Sequence, residues 1–207
     1  MLIEDIINEG PGDGLPKVVL YPGRFQPPHI GHMKAWQHLK GEFGDARIVT
    51  SDKVDPPRSP FNFQEKKALL KHAGVPENKI VQVKNPYLAN EIVDSMDKEK
   101  FVLIFAISEK DMEEDPRFTF KPKKDGSPSY FQPYKQNKGN LEPASKHGYI
   151  TTVPTFPFNV AGKPMRSATE FRANFAQADE QTQAQMITDL YGKYSDQVHA
   201  LLANKIV

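Results

Sequence analysis

Two histidines stand three residues apart in the segment GRFQPPHIGH, between a predicted strand and a predicted helix. His29 and His32 therefore lie at the entrance of the helix, and this spacing lets both rings face the same spot. Imidazoles donate hydrogen bonds to phosphate oxygens, while backbone N–H groups and the helix dipole favour an anion there. The pair is suited to stabilising charge on an NTP α-phosphate as pyrophosphate leaves.

The loop around the histidines has the features of a nucleotide-binding turn. Gly23 lets the chain turn off the strand, and Gly31 lets a backbone or a ligand approach without a Cβ in the way. Arg24 and Phe25 belong to the same loop, so we include them among the candidate nucleotide-binding residues. A structural histidine pair and a zinc site remain the alternatives, although the chain has no H-E-x-x-H motif and no cysteine.

A second candidate anion site lies far downstream, in the segment SATEFR. Ser167 and Thr169 offer hydroxyls and backbone N–H groups at the start of another predicted helix, and Arg172 can reach a β- or γ-phosphate with its planar fork. Ser167 and Glu170 also form the capping-box pattern S-x-x-E. The alternative interpretation is therefore an ordinary helix cap followed by a solvated arginine.

A third group of candidates follows the most hydrophobic predicted strand. Ser108 and Asp111 are placed to hold a ribose or a base edge, yet Ser-x-x-Asp is equally an ordinary helix start. The acidic run from Asp111 to Asp115 is typical of a solvated face, so we assign no protein metal ligands.

The segments GRFQPPHIGH and SATEFR, in this order, resemble the two signatures of the nucleotidylyltransferase superfamily. The match is closest to nicotinamide mononucleotide (NMN) adenylyltransferases with a GRFQP opening, whose N-P-F-x-x-x-E-R segment resembles the stretch from Arg58 to Lys66. The resemblance implies a Rossmann-like fold and Mg²⁺-dependent transfer of an NMP from an NTP to a small phosphorylated acceptor such as NMN. It also implies that His29 and His32 contact the triphosphate, and that Ser167, Thr169 and Arg172 hold its outer phosphates.

Because the sequence departs from this pattern at two places, the resemblance does not determine which nucleobase the NTP carries or which acceptor is used. Lys66 stands where those adenylyltransferases carry arginine, and the usual glycine is absent from FAISEKD. AMP transfer is favoured over CMP transfer. A nucleotide-binding protein without turnover is the alternative function.

Strands and helices alternate along the chain, which predicts an α/β protein with a Rossmann-like, doubly wound parallel sheet. Ligands of such sheets bind beyond the carboxyl ends of the strands, where the first and third candidate groups lie. Predicted strands cover 18–21, 46–50, 79–83, 101–107 and 149–153, and predicted helices cover 31–40, 63–73, 89–96, 178–190 and 195–202, with a further helix from 167. A flexible tail over 1–16 precedes a domain over 17–207 that ends in helices over about 176–207.

Composition narrows the class of protein but not its oligomeric state. The net charge is +1, so no global field favours nucleic acid or a membrane as the main partner. The chain has no cysteine and no apolar run of about 20 residues, so we expect a cytoplasmic protein without a membrane span.

An insertion over about 112–148 breaks the alternation and is rich in lysine, proline and aromatic residues. We predict that it folds over the site as a hairpin or flap, either as a lid over polyphosphate or as a contact for single-stranded nucleic acid. The segment from Ile7 to Gly10 resembles sites cut by the capsid-maturation proteases of large tailed phages. That resemblance implies cleavage after Glu9 in a phage-encoded, virion-packaged protein.

Overall fold

The computed structural model describes residues 12–114, 118–165 and 167–206. Its strands are β1 (Lys17–Pro22), β2 (Arg47–Thr50), β3 (Ile80–Gln82), β4 (Val102–Ser108), β5 (Phe131–Pro133), β6 (Gly148–Val153), β7 (Phe158–Val160) and β8 (Lys163–Met165). Its α-helices are α1 (Ile30–Phe43), α2 (Phe63–His72), α3 (Asn90–Val93), α4 (Glu109–Glu114), α5 (Tyr134–Asn137), α6 (Ala168–Gln177), α7 (Glu180–Tyr191) and α8 (Asp196–Lys205). A short 3-10 helix covers Glu77–Lys79. None of the helices in these residues is long and apolar enough to cross a bilayer.

The central sheet has six parallel strands in the order β3-β2-β1-β4-β6-β5, which confirms the predicted α/β, Rossmann-like class. Neighbouring residues of β1 point to opposite faces, so Val19 and Tyr21 belong to one apolar cluster and Leu20 to another. Both faces of the sheet are therefore covered. The strand order reverses between β1 and β4, and loops at the carboxyl ends of these strands flank a crevice suited to a ligand.

The first helix is anchored at both ends by its own sequence. His29 is its N-cap residue, and Gly44, with φ of 78°, donates its N–H to the carbonyl of Lys40 where the helix ends. Trp36 is buried in the core and donates its indole N–H to the carbonyl of Ala46 at 2.9 Å. This contact fixes α1 against the start of β2, so the loop before α1 is held at the edge of the sheet.

The insertion does not form the predicted hairpin or flap. Its second half supplies β5, which pairs in parallel with β6 and becomes an edge strand of the main sheet. Phe118 and Phe131 lie with ring centroids 4.8 Å apart, and both rings contact Phe105 of β4. The aromatic residues that suggested a lid instead cover one face of the central sheet.

A β-hairpin made of β7 and β8 was not predicted from the sequence. Its turn places Ala161 and Gly162 at positive φ, and the carboxylate of Asp189 in α7 accepts a hydrogen bond from the Ala161 N–H at 2.8 Å. The hairpin packs with α6, α7 and α8 in a third apolar cluster that includes Phe158, Phe171 and Phe175. The predicted C-terminal helices are therefore part of the same folded body as the candidate site.

The start of the chain is described from Gly12 onward. Gly12 donates its N–H to the carbonyl of Leu141 at 2.7 Å, and Leu15 packs against the core. The predicted cleavage site from Ile7 to Gly10 lies outside the described residues, and the flexible tail stays a prediction.

Candidate functional site

A cleft of about 920 Å³ opens at the carboxyl ends of β1, β4 and β6. Every site residue predicted from the sequence lines it: Gly23, Arg24, Phe25, His29, Gly31, His32, Ser108, Asp111, Ser167, Thr169 and Arg172. The structure thus brings together three groups that are far apart in the chain. The volume is in the range of clefts that hold small-molecule ligands.

The two histidines are held by each other at the start of α1. Their rings stack with centroids 3.6 Å apart, and each Nδ1 accepts a hydrogen bond from the backbone N–H of the other residue, at 3.2 Å and 3.4 Å. This is a capping box built from imidazoles instead of the usual hydroxyl and carboxylate. Because Nδ1 is the acceptor in both rings, the proton of each neutral ring lies on Nε2.

Both rings are held in the neutral form. Burial lowers the pKa of His32 to about 3. Burial, with a smaller contribution from His32, lowers the pKa of His29 well below its usual value. At neutral pH the pair can therefore act through two Nε2–H donors, which stabilise a developing anion without carrying a charge themselves.

Aromatic rings flank the histidine pair on both sides. Phe158 of β7 stacks on His29 with centroids 4.4 Å apart and an interplanar angle of 22°. Phe25 meets the edge of His32 at 4.9 Å. Phe25 is buried and takes a positive φ of 49°, an unusual conformation for a phenylalanine. His29 is thus the middle ring of a three-ring stack with His32 and Phe158, and Phe25 closes the His32 side with an edge contact.

The two glycines of the first loop are required by close contacts. A Cβ at Gly31 would lie 2.8 Å from the carbonyl oxygen of Phe156, so the glycine lets the chain after β6 pass over the start of α1. A Cβ at Gly23 would lie 2.8 Å from the ring of Phe25. Gly23 thus makes room for this ring, and the positive φ of the turn falls on Phe25 instead of on the glycine.

Arg172 connects the second motif to the first. Its Nη1 donates to the main-chain oxygen of Gln26, and its Nη2 donates to Thr169 Oγ1 at 3.3 Å. Burial and then the neighbouring Arg24 lower the pKa of Arg172. Two guanidinium groups therefore lie close together at this wall of the cleft, where an anionic ligand would relieve their repulsion.

Ser108 and Asp111 line the opposite part of the cleft, at the end of β4. Ser108 Oγ accepts a hydrogen bond from the Asp111 N–H at 3.0 Å, so the serine starts α4 as a cap. Burial, followed by the charge of Asp111, raises the pKa of Tyr21 well above its usual value. The Asp111 carboxylate thus lies on the side of the cleft that Tyr21 lines. In the described part of the chain, no group of three or more His, Asp or Glu side chains is arranged to hold a metal ion.

Several cleft residues were missed in the sequence. Gln26 is buried, and its amide both donates to the carbonyl and accepts from the N–H of Phe61 at 2.8 Å, which fixes the loop before α2. Arg58 in that loop, Tyr87, Lys110 and the segment 153–158 also line the cleft. Gln26 and Arg58 carried a signal, because Gln26 belongs to the GRFQP opening and Arg58 begins the third segment of the family resemblance.

Lys66, which stands where the NMN adenylyltransferases that the sequence resembles carry arginine, is a buried structural residue. Its Nζ donates to Thr50 Oγ1 at 2.9 Å and to the carbonyl of Ser51, and burial lowers its pKa to about 8. Its side chain is therefore used to hold the end of β2, and it is not among the residues that line the cleft.

Comparison of the fold with solved structures gives two similar chains from Francisella tularensis, both bifunctional NMN adenylyltransferase/ADP-ribose pyrophosphatases. One has 18% identity and a TM-score of 0.51 and covers 92% of this chain and 49% of its own. The other, complexed with AMP and a manganese ion, has 16% identity and a TM-score of 0.49, with coverages of 92% and 52%. The chain thus spans about half the length of these structures, and the likeness to the first of them shows the fold.

Comparison of the sequence gives the family. No curated protein sequence matches the chain. The family model described as cytidylyltransferase-like matches residues 20–129, which is more than half of the chain and includes the histidine pair. The chain therefore belongs to the cytidylyltransferase-like family of nucleotidylyltransferases.

Proposed function

We propose that this protein transfers a nucleoside monophosphate, AMP in preference to CMP, from an NTP to a small phosphorylated acceptor and releases pyrophosphate. The observation that carries the proposal is the meeting of the histidine pair and the Ser167–Arg172 motif in one cleft. Each motif provides hydrogen-bond donors at a helix N-terminus, and a triphosphate is the ligand whose charge and length suit both.

In the proposed reaction a phosphate oxygen of the acceptor attacks the α-phosphorus of the NTP. One P–O bond forms, the bond to the β-phosphate breaks, and the electron pair leaves with pyrophosphate. The Nε2–H groups of His29 and His32 donate to the α-phosphate oxygens as negative charge builds there. Arg172, together with Ser167 and Thr169, binds the outer phosphates and holds the leaving group. No protein nucleophile is needed.

Mg²⁺ enters this scheme as part of the NTP substrate. The described residues contain no metal-binding cluster, and Asp111 is the carboxylate that lines the cleft. This donor set suits Mg²⁺, which keeps several waters and is held by substrate phosphates with one or two carboxylates. The ion supplies neutralising charge on the phosphates, and the protein contributes donors around it.

NMN is the acceptor we propose first. The GRFQP opening resembles that of NMN adenylyltransferases, and the solved chain with the TM-score of 0.51 is named as one. The basic side chains of Arg24, Arg58 and Lys110 also line the cleft, so a second phosphate-bearing substrate has partners beside the Arg172 that binds the NTP.

The test is pyrophosphate release from ATP or CTP with NMN and a panel of other phosphomonoesters. We expect release that needs both substrates, with ATP faster than CTP. If pyrophosphate is released with CTP and an acceptor but not with ATP and the same acceptor, the transferred group is CMP and not AMP. Thermal protection by nucleotide without pyrophosphate release under any combination would replace the proposal with a non-catalytic nucleotide sensor.

A second candidate function, contact with single-stranded nucleic acid, is favoured by the surface of the insertion. Lys121, Lys123 and Lys124 are exposed, Phe120 is 36% exposed, and none of them lines the cleft. If this loop binds single-stranded DNA, changing the three lysines to glutamine should reduce the salt dependence of binding by about 0.7 per lysine in log K against log salt. Equal binding by both proteins would exclude the loop as the contact.

A further inference from the structure

The β7–β8 hairpin joins the two motifs of the site. Phe158 in β7 stacks on His29, and Phe158 pairs with Met165 of β8, which lines the cleft just before α6. Phe156 contributes the carbonyl oxygen that packs against Gly31. A single short segment therefore contacts the histidine loop at one end and leads into the Ser167–Arg172 helix at the other.

Phe158 itself is held firmly by the C-terminal part of the protein. It is 6% exposed and belongs to the apolar cluster that also contains Phe171, Met186 and Leu202. The hydrogen bond from Ala161 to Asp189 fixes the hairpin turn to α7. The ring stacked on His29 is thus packed in the apolar cluster of the C-terminal helices, whereas the His29 ring lies at a helix end, where it otherwise contacts the His32 ring and the cap.

We propose that Phe158 is a positioning residue for the histidine pair, whose stacked ring keeps both imidazoles in the orientation and tautomer that present Nε2–H to the α-phosphate. This proposal rests on the function proposed above. The reciprocal Nδ1 bonds, at 3.2 Å and 3.4 Å, are long, and each requires the ring that accepts it to keep its orientation. A flat ring at 4.4 Å on the open side of His29 prevents its rotation, since rotation would break both the stack and the cap.

The test combines ¹⁵N NMR of the imidazole rings with steady-state kinetics. In the unchanged protein both rings should give the Nε2–H tautomer, and His29→Asn and His32→Asn assign their two sets of signals among those of the six histidines. Phe158→Leu, which keeps apolar volume but removes the flat ring, should give mixed tautomers for His29. Its kcat should fall about tenfold while KM for the NTP changes by less than about twofold. Phe158→Tyr, which keeps the ring, should restore both readouts.

Val160→Ala is the matched control, because Val160 is buried in the same strand and cluster and does not line the cleft. It should lower thermal stability and leave the tautomers and kcat unchanged. A Phe158→Leu protein in which His29 keeps the Nε2–H tautomer overturns the proposal, and so does an equal fall of kcat in Phe158→Leu and Val160→Ala. The NMR result decides the matter even if no transferase activity is found, so failure of the proposed function is distinguished from failure of this inference.

Discussion

Arg172 donates a hydrogen bond to the main-chain oxygen of Gln26, which precedes it by 146 residues. The other guanidinium nitrogen donates to Thr169, and the side chain of Gln26 binds both backbone groups of Phe61. One arginine thus ties the second motif to the first, and through Gln26 to the loop that carries Arg58. The two motifs are parts of one structure before any ligand arrives.

Arg172→Lys should therefore behave as a severe change, although the charge is kept. A lysine is a point charge without the planar fork, and it cannot bond Gln26 and Thr169 together while facing a phosphate. We expect KM for the NTP to rise at least about tenfold, corresponding to about 1.4 kcal/mol, in steady-state assays of pyrophosphate release. Arg47→Lys in β2, outside the cleft, is the control and should change KM little.

Removal of either imidazole should lower kcat more than it raises KM. If His29 and His32 donate to charge that develops during transfer, His29→Ala and His32→Ala should each lose about 10²–10³ in kcat. The double variant should lose less than the product of the single losses, because each ring orients the other. Turnover that is unchanged in both single variants would remove the pair from the mechanism.

The depressed pKa values of the two histidines predict how stability depends on pH. Below about pH 6.5 the unfolded chain takes up protons on both rings, while the folded protein resists this until the pH nears 3 for His32. The free energy of unfolding should therefore fall as the pH falls from 6.5 towards 4. The slope contributed by each ring should approach about 1.4 kcal/mol per pH unit.

Urea unfolding at a series of pH values measures this slope. His32→Gln should remove the part of the slope that one ring contributes. Lys34→Gln, on the exposed side of the same helix, is the control. A slope that is the same in His32→Gln and the unchanged protein would mean that His32 titrates normally in the folded state.

Two glycines of α1 should respond in opposite ways to alanine. Gly31→Ala places a Cβ 2.8 Å from the backbone oxygen of Phe156, so it should cost about 1–3 kcal/mol of unfolding free energy. Gly41→Ala meets nothing within 4 Å and should stabilise the helix by up to about 1 kcal/mol. Equal stability of the two variants, measured by denaturant unfolding, would show that the chain after β6 does not pass this closely over α1.

The sequence predicted the features that depend on local patterns. Apolar runs marked β1, β2, β3, β4 and β6, and the histidine motif stands directly between a strand and a helix. The β7–β8 hairpin was missed because its strands have three residues each and its turn is Ala161-Gly162, which lacks the usual Asn-Gly signal. The role of Gln26 was missed because its partner, Phe61, is 35 residues away and no local pattern links them.

The insertion shows why composition alone predicted the wrong arrangement. Exposed lysines and buried aromatic residues occur in the same stretch, and the composition does not say which face each takes. Phe131 begins an edge strand whose last residue is Pro133, a position where proline is tolerated because no neighbouring strand needs its N–H.

The most direct test is a crystal structure of the protein with Mg²⁺ and a non-hydrolysable ATP analogue. We predict that Nε2 of His29 and Nε2 of His32 lie within hydrogen-bond distance of the α-phosphate, with the Arg172 guanidinium on the β- or γ-phosphate of the same molecule. A triphosphate bound at one motif only, or lying outside the cleft, would contradict it.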